Sequence, residues 1–227
     1  PSQGEIIYYL PVVHFLPGTP ASIGTETHSA ATLEIADKIQ QANIKWARVP
    51  ALNWAAIEPN RTNPPTYDWS GVDEANLINL AERNVKIIAT IRFSPSWAQK
   101  YPPNACGPVS ESALDAFAAF LGEAVKRYSQ APYYIKYWEI GNEPDIATGS
   151  VAPDSNYGCW GDDRRNPDGS YVDPYFGGGY YAKMLEKAYP AIKAADRAAS
   201  VLVGGLLLDC DPTNPPAGKD CQPSKFL

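Results

Sequence analysis

The sequence predicts an α/β fold, a (β/α)8 TIM barrel of which about the first five strand–helix units are present. Apolar runs rich in β-branched residues alternate with amphipathic stretches, which is typical of a parallel sheet covered by helices. The segments after the apolar runs are long and rich in Trp, Tyr, Pro and Asp, whereas the segments before them are short. A barrel places its functional loops in this way, at the carboxyl ends of all its strands.

A doubly wound open sheet is the alternative with the same alternation of strands and helices. Such a sheet concentrates function near one switch point, often with a G-x-G-x-x-G turn after the first strand. No such turn follows the first apolar run, residues 5–15. The loop pattern therefore favours the barrel.

The first two units are each predicted from an apolar run and the periodic stretch that follows it. Residues 5–15, EIIYYLPVVHF, form the first strand, and residues 31–44 follow with apolar side chains at helical spacing. Residues 45–50, KWARVP, form the second strand. The helix over residues 70–84 comes next, with Ser70 and Asp73 as its N-terminal capping pair.

The later units show the clearest patterns. Residues 85–93, VKIIATIRF, are rich in β-branched residues and predict the third strand. Residues 111–128 predict a helix with one continuous apolar face. The fourth strand is predicted over residues 135–141, a helix over residues 180–199 and the fifth strand over residues 201–208.

The length of the chain suits only part of such a barrel. Five units account for nearly all of its 227 residues. A complete barrel has eight units, typically in about 250 residues. We therefore expect residues 1–227 to be the N-terminal portion of a single barrel domain.

Composition excludes several classes of partner. The net charge is −6 and no run of Lys or Arg occurs, so neither nucleic acid nor an anionic membrane is the expected partner. The longest apolar run, residues 201–208, is too short to span a bilayer, which takes about 20 residues. Aromatic residues in Pro- and Gly-rich stretches suit flat, partly apolar ligands such as sugars.

The four cysteines, Cys106, Cys159, Cys210 and Cys221, all lie in loop-like sequence. Buried structural thiols would more often lie in the apolar runs, so we predict two disulfides, Cys106–Cys159 and Cys210–Cys221. Four free thiols are the alternative. Disulfides imply an oxidising compartment, and hence a secreted, periplasmic or extracellular protein.

A metal site is not expected. No cysteine pair has C-x-x-C spacing, and the two histidines, His14 and His28, occupy unrelated positions. A metal-dependent hydrolase is therefore disfavoured, and we predict no cofactor.

The fourth predicted strand leads directly into a cluster of amide and acid side chains. Asn142 and Glu143 follow the strand over residues 135–141, and Pro144 comes next. Because side chains alternate along a strand, Glu139 and Glu143 are expected on one face. Pro144 lacks a ladder N–H and is expected to end the strand, with the Glu143 carboxyl at the rim of the barrel.

Residues 138–144, WEIGNEP, resemble the fourth-strand motif of retaining glycoside hydrolases of clan A, all of which are (β/α)8 barrels. The resemblance extends over most of the chain, including NWAAIEP at residues 53–59, the stretch over residues 67–91 and FSPSWA at residues 93–98. PSW and VGG are similar to family 39 and its relatives. The resemblance implies hydrolysis of a saccharide through a covalent intermediate.

The resemblance also implies roles for individual residues. Glu143 is similar to the general acid/base of the clan, and Asn142 to the residue that binds the sugar 2-hydroxyl. Arg48 matches an arginine that supports the nucleophile, while a structural ion pair with Glu139 is the alternative. The nucleophile itself lies at the end of the seventh strand in the clan, so this chain alone is expected to be inactive.

Three further residues are candidates for the substrate site. Trp97 and Trp160 lie in predicted rim loops and could stack on sugar rings, or could instead hold their loops in place. His14, at the end of the first predicted strand, could line the mouth of the barrel, or could be a core histidine.

The leading hypothesis is therefore a retaining O-glycoside hydrolase that acts on a poly- or oligosaccharide, with Glu143 as acid/base. The alternative is a non-catalytic carbohydrate-binding or scaffold protein on a degenerate barrel, because no nucleophile is recognised in the sequence.

Overall fold

The computed structural model describes residues 23–27, residues 32–207 and Phe226. Its centre is a parallel five-stranded sheet in the order β1-β2-β3-β4-β5. The strands are β1 Gly24–Glu26, β2 Trp46–Asn53, β3 Lys86–Arg92, β4 Tyr137–Ile140 and β5 Ser200–Val203. The helices are α1 Leu33–Gln41, α2 Trp54–Ile57, α3 Glu74–Glu82, α4 Leu114–Tyr128 and α5 Gly178–Ala195.

Strands in sequence order, joined by helices, are the arrangement of a barrel and not that of a doubly wound sheet, in which the order reverses. The predicted fold class is confirmed. Within the described part of the chain, no helix is long and apolar enough to cross a membrane.

The predicted first strand, residues 5–15, lies outside the described residues. The first strand of the described part of the chain is β1, Gly24–Glu26. Glu26 is aligned with Arg48 of β2 in the parallel register. The acidic end of β1 therefore lies beside the arginine that the sequence marked as a candidate.

One face of the sheet packs against the helices. Ala47, Val49, Ala89 and Ile91 are buried there, together with Trp138, which is fully buried as its position in the strand predicts. Apolar residues of the helices complete this core, among them Leu80, Phe117, Phe120, Leu121, Met184 and Ala188.

The opposite face carries the alternate residues of each strand, and several of them are polar. Arg48, Thr90 and Glu139 lie on this face, which would be the interior of a closed barrel. Thr90 and Glu139 are buried although they are polar. Such residues are expected to be hydrogen-bonded to one another.

Side-chain caps fix where two of the helices begin. The Asp73 carboxylate accepts from the backbone N–H of Asn76 at 3.3 Å and caps α3. Ser70, the other member of the predicted capping pair, lies instead in a 3-10 turn, Trp69–Gly71. The Asn53 side chain accepts from the N–H of Ala56 at 3.1 Å, so β2 passes directly into α2.

Candidate active site

Arg48 is the centre of a polar network at the carboxyl ends of the first four strands. Its Nε donates to Glu139 Oε2 at 2.6 Å, and its Nη1 donates to Glu26 Oε1 at 2.5 Å. Its Nη2 donates to Asn142 Oδ1 at 2.7 Å. One guanidinium therefore joins β1, β2, β4 and the turn that follows β4. The ion pair with Glu139, which was one of the two interpretations of Arg48, is therefore present.

Both carboxylate oxygens of Glu139 are occupied. Thr90 Oγ1 donates to Oε2 at 2.7 Å, in addition to Arg48, and the N–H of Gly205 donates to Oε1 at 3.0 Å. The side chain of Glu139 is 7% exposed. Glu139 is therefore a structural anchor for Arg48 and for the loop after β5, and it is not free to attack a substrate.

The turn that carries Glu143 departs from the predicted strand. β4 ends at Ile140, and Gly141 has a φ of 83°. Glu143 has a φ of 44°, a left-handed conformation that is unfavourable for a residue with a side chain. The predictions that the strand continues to Gly141 and ends at Pro144 are wrong, so alternation along the strand does not orient Glu143. A turn does so instead, held by the Glu143 N–H on the Gly205 carbonyl at 2.8 Å.

The carboxyl of Glu143 has the environment that a general acid requires. Its Oε2 is buried and has no hydrogen-bond partner within the described structure. Burial raises the pKa of Glu143, the negative charge of Asp145 raises it further, and the positive charge of Arg48 opposes the rise. A strained backbone and an unpartnered buried oxygen at one residue are typical of a functional site.

Asn142 is fixed at both ends of its amide. Its Oδ1 accepts from Arg48, and its Nδ2 donates to the carbonyl of Asn156 at 3.1 Å. Arg92, at the end of β3, donates to the same carbonyl at 2.9 Å. The N–H of Gly158 also donates to the carbonyl of Asn142. The loop after β4 therefore folds back onto the turn and holds the Asn142 side chain in place.

A disulfide anchors this loop. Cys106, in the loop after β3, is bonded to Cys159, in the loop after β4, which confirms one of the two predicted pairs. The N–H of Cys159 also donates to the carbonyl of Cys106 at 3.1 Å, and the N–H of Cys106 donates to the carbonyl of Pro153 at 3.2 Å. Two rim loops are joined within a few residues of the contacts to Asn142.

We expect the double replacement Cys106→Ala with Cys159→Ala to lower the free energy of unfolding by about 2–4 kcal/mol. The cross-link joins residues 53 positions apart, so it restricts the unfolded chain considerably. Urea unfolding followed by tryptophan fluorescence measures the change. The oxidised wild-type protein is the reference, and an unchanged midpoint and slope would show that the bond contributes nothing to stability.

The two predicted stacking residues differ in their surroundings. Trp160 is half-buried. It lies next to the Glu143 turn, because its backbone N–H donates to the carbonyl of Pro144 at 2.9 Å. Trp97 contacts the ring of Trp54 edge-on, and the guanidinium of Arg61 lies 5.6 Å from its ring centre. Trp160 also contacts the ring of Tyr181 edge-on, at 5.4 Å between ring centres, so each of the two rings packs against an aromatic neighbour.

A cavity of about 40 Å³ lies behind the turn, on the helix side of the sheet. Trp54, Phe117 and Met184 line it from the helices, and Asn142 and Trp160 line it from the turn and its loop. A cavity of this size holds about one or two waters. It is therefore too small to hold a saccharide.

Several predicted residues cannot be placed. His14, Cys210 and Cys221 lie outside the described residues. No group of three or more His, Cys, Asp or Glu side chains that could hold a metal ion occurs in the described ranges. Glu26 was missed by the sequence analysis, because a strand of three residues has no apolar run to mark it.

Comparison with known proteins agrees with the fold. No protein-family model matches the chain, and no curated protein matches it in sequence. A family 39 glycoside hydrolase from the gut symbiont Bacteroides cellulosilyticus WH2 matches 80% of this chain and 31% of its own, with TM-score 0.55 and 17% identity. A β-galactosidase from the psychrophilic Marinomonas ef1 matches 81% of this chain and 37% of its own, with TM-score 0.55 and 14% identity.

A third solved structure, Cel5A of Thermotoga maritima in a mutant form with cellobiose substrate, matches 82% of this chain and 55% of its own. Its TM-score is 0.52 and its identity 16%. The chain therefore spans between about a third and somewhat more than half of these structures. The matches show that it has the fold of part of a glycoside hydrolase barrel, as the sequence resemblance implied.

Proposed function

We propose that residues 1–227 are the N-terminal part of a retaining O-glycoside hydrolase that acts on a poly- or oligosaccharide by double displacement. Glu143 is the general acid/base of this reaction. The observation that carries the proposal is the Glu143 carboxyl at the carboxyl end of the sheet, with a buried and unpartnered oxygen and a raised pKa. A carboxyl with a raised pKa stays protonated at a higher pH than an ordinary carboxyl, so it can donate its proton to the leaving oxygen.

The two steps of the reaction use Glu143 in opposite ways. In the first step the carboxyl donates its proton to the glycosidic oxygen while a second carboxylate attacks the anomeric carbon. In the second step the Glu143 carboxylate takes a proton from water, which then releases the sugar from the second carboxylate. We place that nucleophile on a seventh strand, since both oxygens of Glu139 are already occupied.

Asn142 and Arg48 orient the substrate in this proposal. The amide of Asn142 retains one hydrogen and one lone pair beyond its contacts with Asn156 and Arg48. This hydrogen and this lone pair can form hydrogen bonds with the 2-hydroxyl of the sugar in the site. Arg48 supports both the amide and the negative charge of the nucleophile, and Trp160 supplies an aromatic surface near the same turn.

The place of action follows from the disulfide. A cross-link between Cys106 and Cys159 persists in an oxidising environment, so we propose a secreted, periplasmic or extracellular protein. A carbohydrate is the proposed partner, and the cellobiose bound by the Thermotoga maritima enzyme is of this chemical class.

The stereochemistry of the first product tests the reaction class. Aryl glycosides and polysaccharides are incubated with the whole protein, and proton NMR follows the anomeric signal at early times. We expect the first product to have the anomeric configuration of the substrate. Inversion of the configuration would rule out the double displacement.

A non-catalytic carbohydrate-binding protein is the second candidate. Its support is that Glu26 and Glu139, the carboxylates that contact Arg48, are both held in ion pairs. Calorimetric binding of an oligosaccharide to the whole protein, with no reducing ends released over days, would favour this second candidate.

A further inference from the structure

Asp145 is a second buried acid in the turn that carries Glu143. Only Pro144 separates the two acidic residues, and Asp145 is 3% exposed. Its Oδ1 accepts from the N–H of Leu207, in the loop after β5, at 2.9 Å. Its Oδ2 is buried and has no hydrogen-bond partner within the described residues.

A carboxylate in this position is unfavourable for folding: burial raises the pKa of Asp145, and the hydrogen bond from the N–H of Leu207 opposes the rise. Burial of a charged group without a counter-ion costs several kcal/mol, and a buried acid is normally paired or fully hydrogen-bonded. Asp145 has one backbone donor and no ion pair in the described part of the chain. An asparagine could accept the same bond from Leu207 without the cost of the charge. The hydrogen bond with Leu207 alone therefore does not explain why residue 145 is an acid.

The charges around Glu143 suggest that reason. Arg48 of β2 is the cation that acts on Glu143, but its guanidinium donates to Glu26 and Glu139 and is neutralised by them. Glu26 of β1 adds further negative charge, and Asp145 adds negative charge from the turn itself. The loop after β5 contributes only backbone groups to the two acids in the described residues, at Gly205 and Leu207.

We propose that Asp145 is a positioning residue for the reaction: of the two acids it has the backbone donor, so it loses its proton first, and its charge then makes the neighbouring Glu143 carboxyl retain its proton. This inference rests on the proposed function of Glu143. The loss of a proton from Glu143 would place two carboxylates close together in a partly buried turn, which is unfavourable. Because the two acids interact, they titrate as a coupled pair.

The test is Asp145→Asn in the whole protein, which removes the charge and keeps the shape. The alkaline limb of the kcat/KM profile, where the acid form of Glu143 is lost, is expected to move to lower pH by about half a unit to one unit. Asp145→Ser, which is also neutral and can accept from Leu207, should move the limb in the same direction.

Asp196→Asn is the matched control. Asp196 is also a poorly exposed acid, with 12% of its side chain exposed, but it pairs with Lys136 at 2.6 Å at the opposite end of the sheet. It should leave the alkaline limb in place. An equal shift in the control, or no shift in either neutral variant of Asp145, would overturn the proposal.

A direct titration separates this inference from the proposed function. Carbon-13 NMR of labelled glutamate carboxyls, with the Glu143 signal assigned by its loss in Glu143→Gln, follows the proton without any substrate. The Glu143 midpoint should fall in Asp145→Asn. If the midpoint falls but Glu143→Gln keeps full activity, Asp145 acts as proposed and only the catalytic role is wrong. An unchanged midpoint overturns the inference alone.

Discussion

Glu143→Gln is expected to lower kcat/KM for glycosides with poor leaving groups by a factor of about 10²–10⁴. Glutamine has nearly the same shape but no proton of suitable acidity for the glycosidic oxygen. The carboxyl lies in a turn whose backbone contact with Gly205 uses only the N–H of the residue, so the fold should tolerate the change. Hydrolysis of an alkyl or oligosaccharide substrate by the whole protein measures the effect.

The leaving group distinguishes loss of an acid from general damage to the site. An aryl glycoside with an acidic phenol needs little protonation, so its first step should be much less affected than that of an alkyl glycoside. Release of the sugar still needs the base, so the covalent intermediate should accumulate and produce a burst of phenol. Glu123→Gln, on the exposed surface of α4, is the control and should behave as wild type. Equal losses on both substrates would contradict the assignment.

The regular part of the fold could be predicted because it depends on local patterns. β3 and α4 lie within one to three residues of their predicted bounds, since a β-branched run and a continuous apolar helix face are unambiguous. β1 could not be predicted in this way. Gly24–Glu26 is short and only partly buried, and it is a strand because it pairs with β2, which is a non-local property.

The sequence could name the residues of the candidate site but not their geometry. The sequence placed Asn142 and Glu143 beyond a strand, but the turn rests on two positive φ angles, and only that of Gly141 has a recognisable cause in residue type. The ion pair of Arg48 with Glu139 was foreseen as one alternative. The third and fourth members, Glu26 and Asn142, come together through strand register and a turn, which one sequence does not specify.

Arg48→Met is expected to destabilise the protein by about 3–5 kcal/mol, measured as the free energy of unfolding in urea. Methionine can fill the space of the arginine stem but not its three donor contacts. Glu139 would then remain buried with Thr90 and Gly205 as its only described donors, and its charge would be uncompensated. Asn142 would lose the contact at its Oδ1, so substrate affinity should also fall.

Glu139→Gln shows whether the destabilisation by Arg48→Met comes from the uncompensated charge of Glu139. Glu139→Gln alone should destabilise the protein by about 1–3 kcal/mol. The loss is limited because the amide oxygen can still accept from one donor. Combined with Arg48→Met, the loss should be smaller than the sum of the single losses by at least about 1 kcal/mol, because no buried carboxylate is left unpaired.

Arg48→Lys completes the comparison and should recover only part of the stability. A lysine ammonium carries the charge but lacks the planar fork that reaches Glu26, Glu139 and Asn142 together. Strictly additive losses in the double variant would mean that the pair is not coupled. The cost of Arg48→Met would then come from the lost contacts with Glu26 and Asn142, and not from an unpaired charge on Glu139.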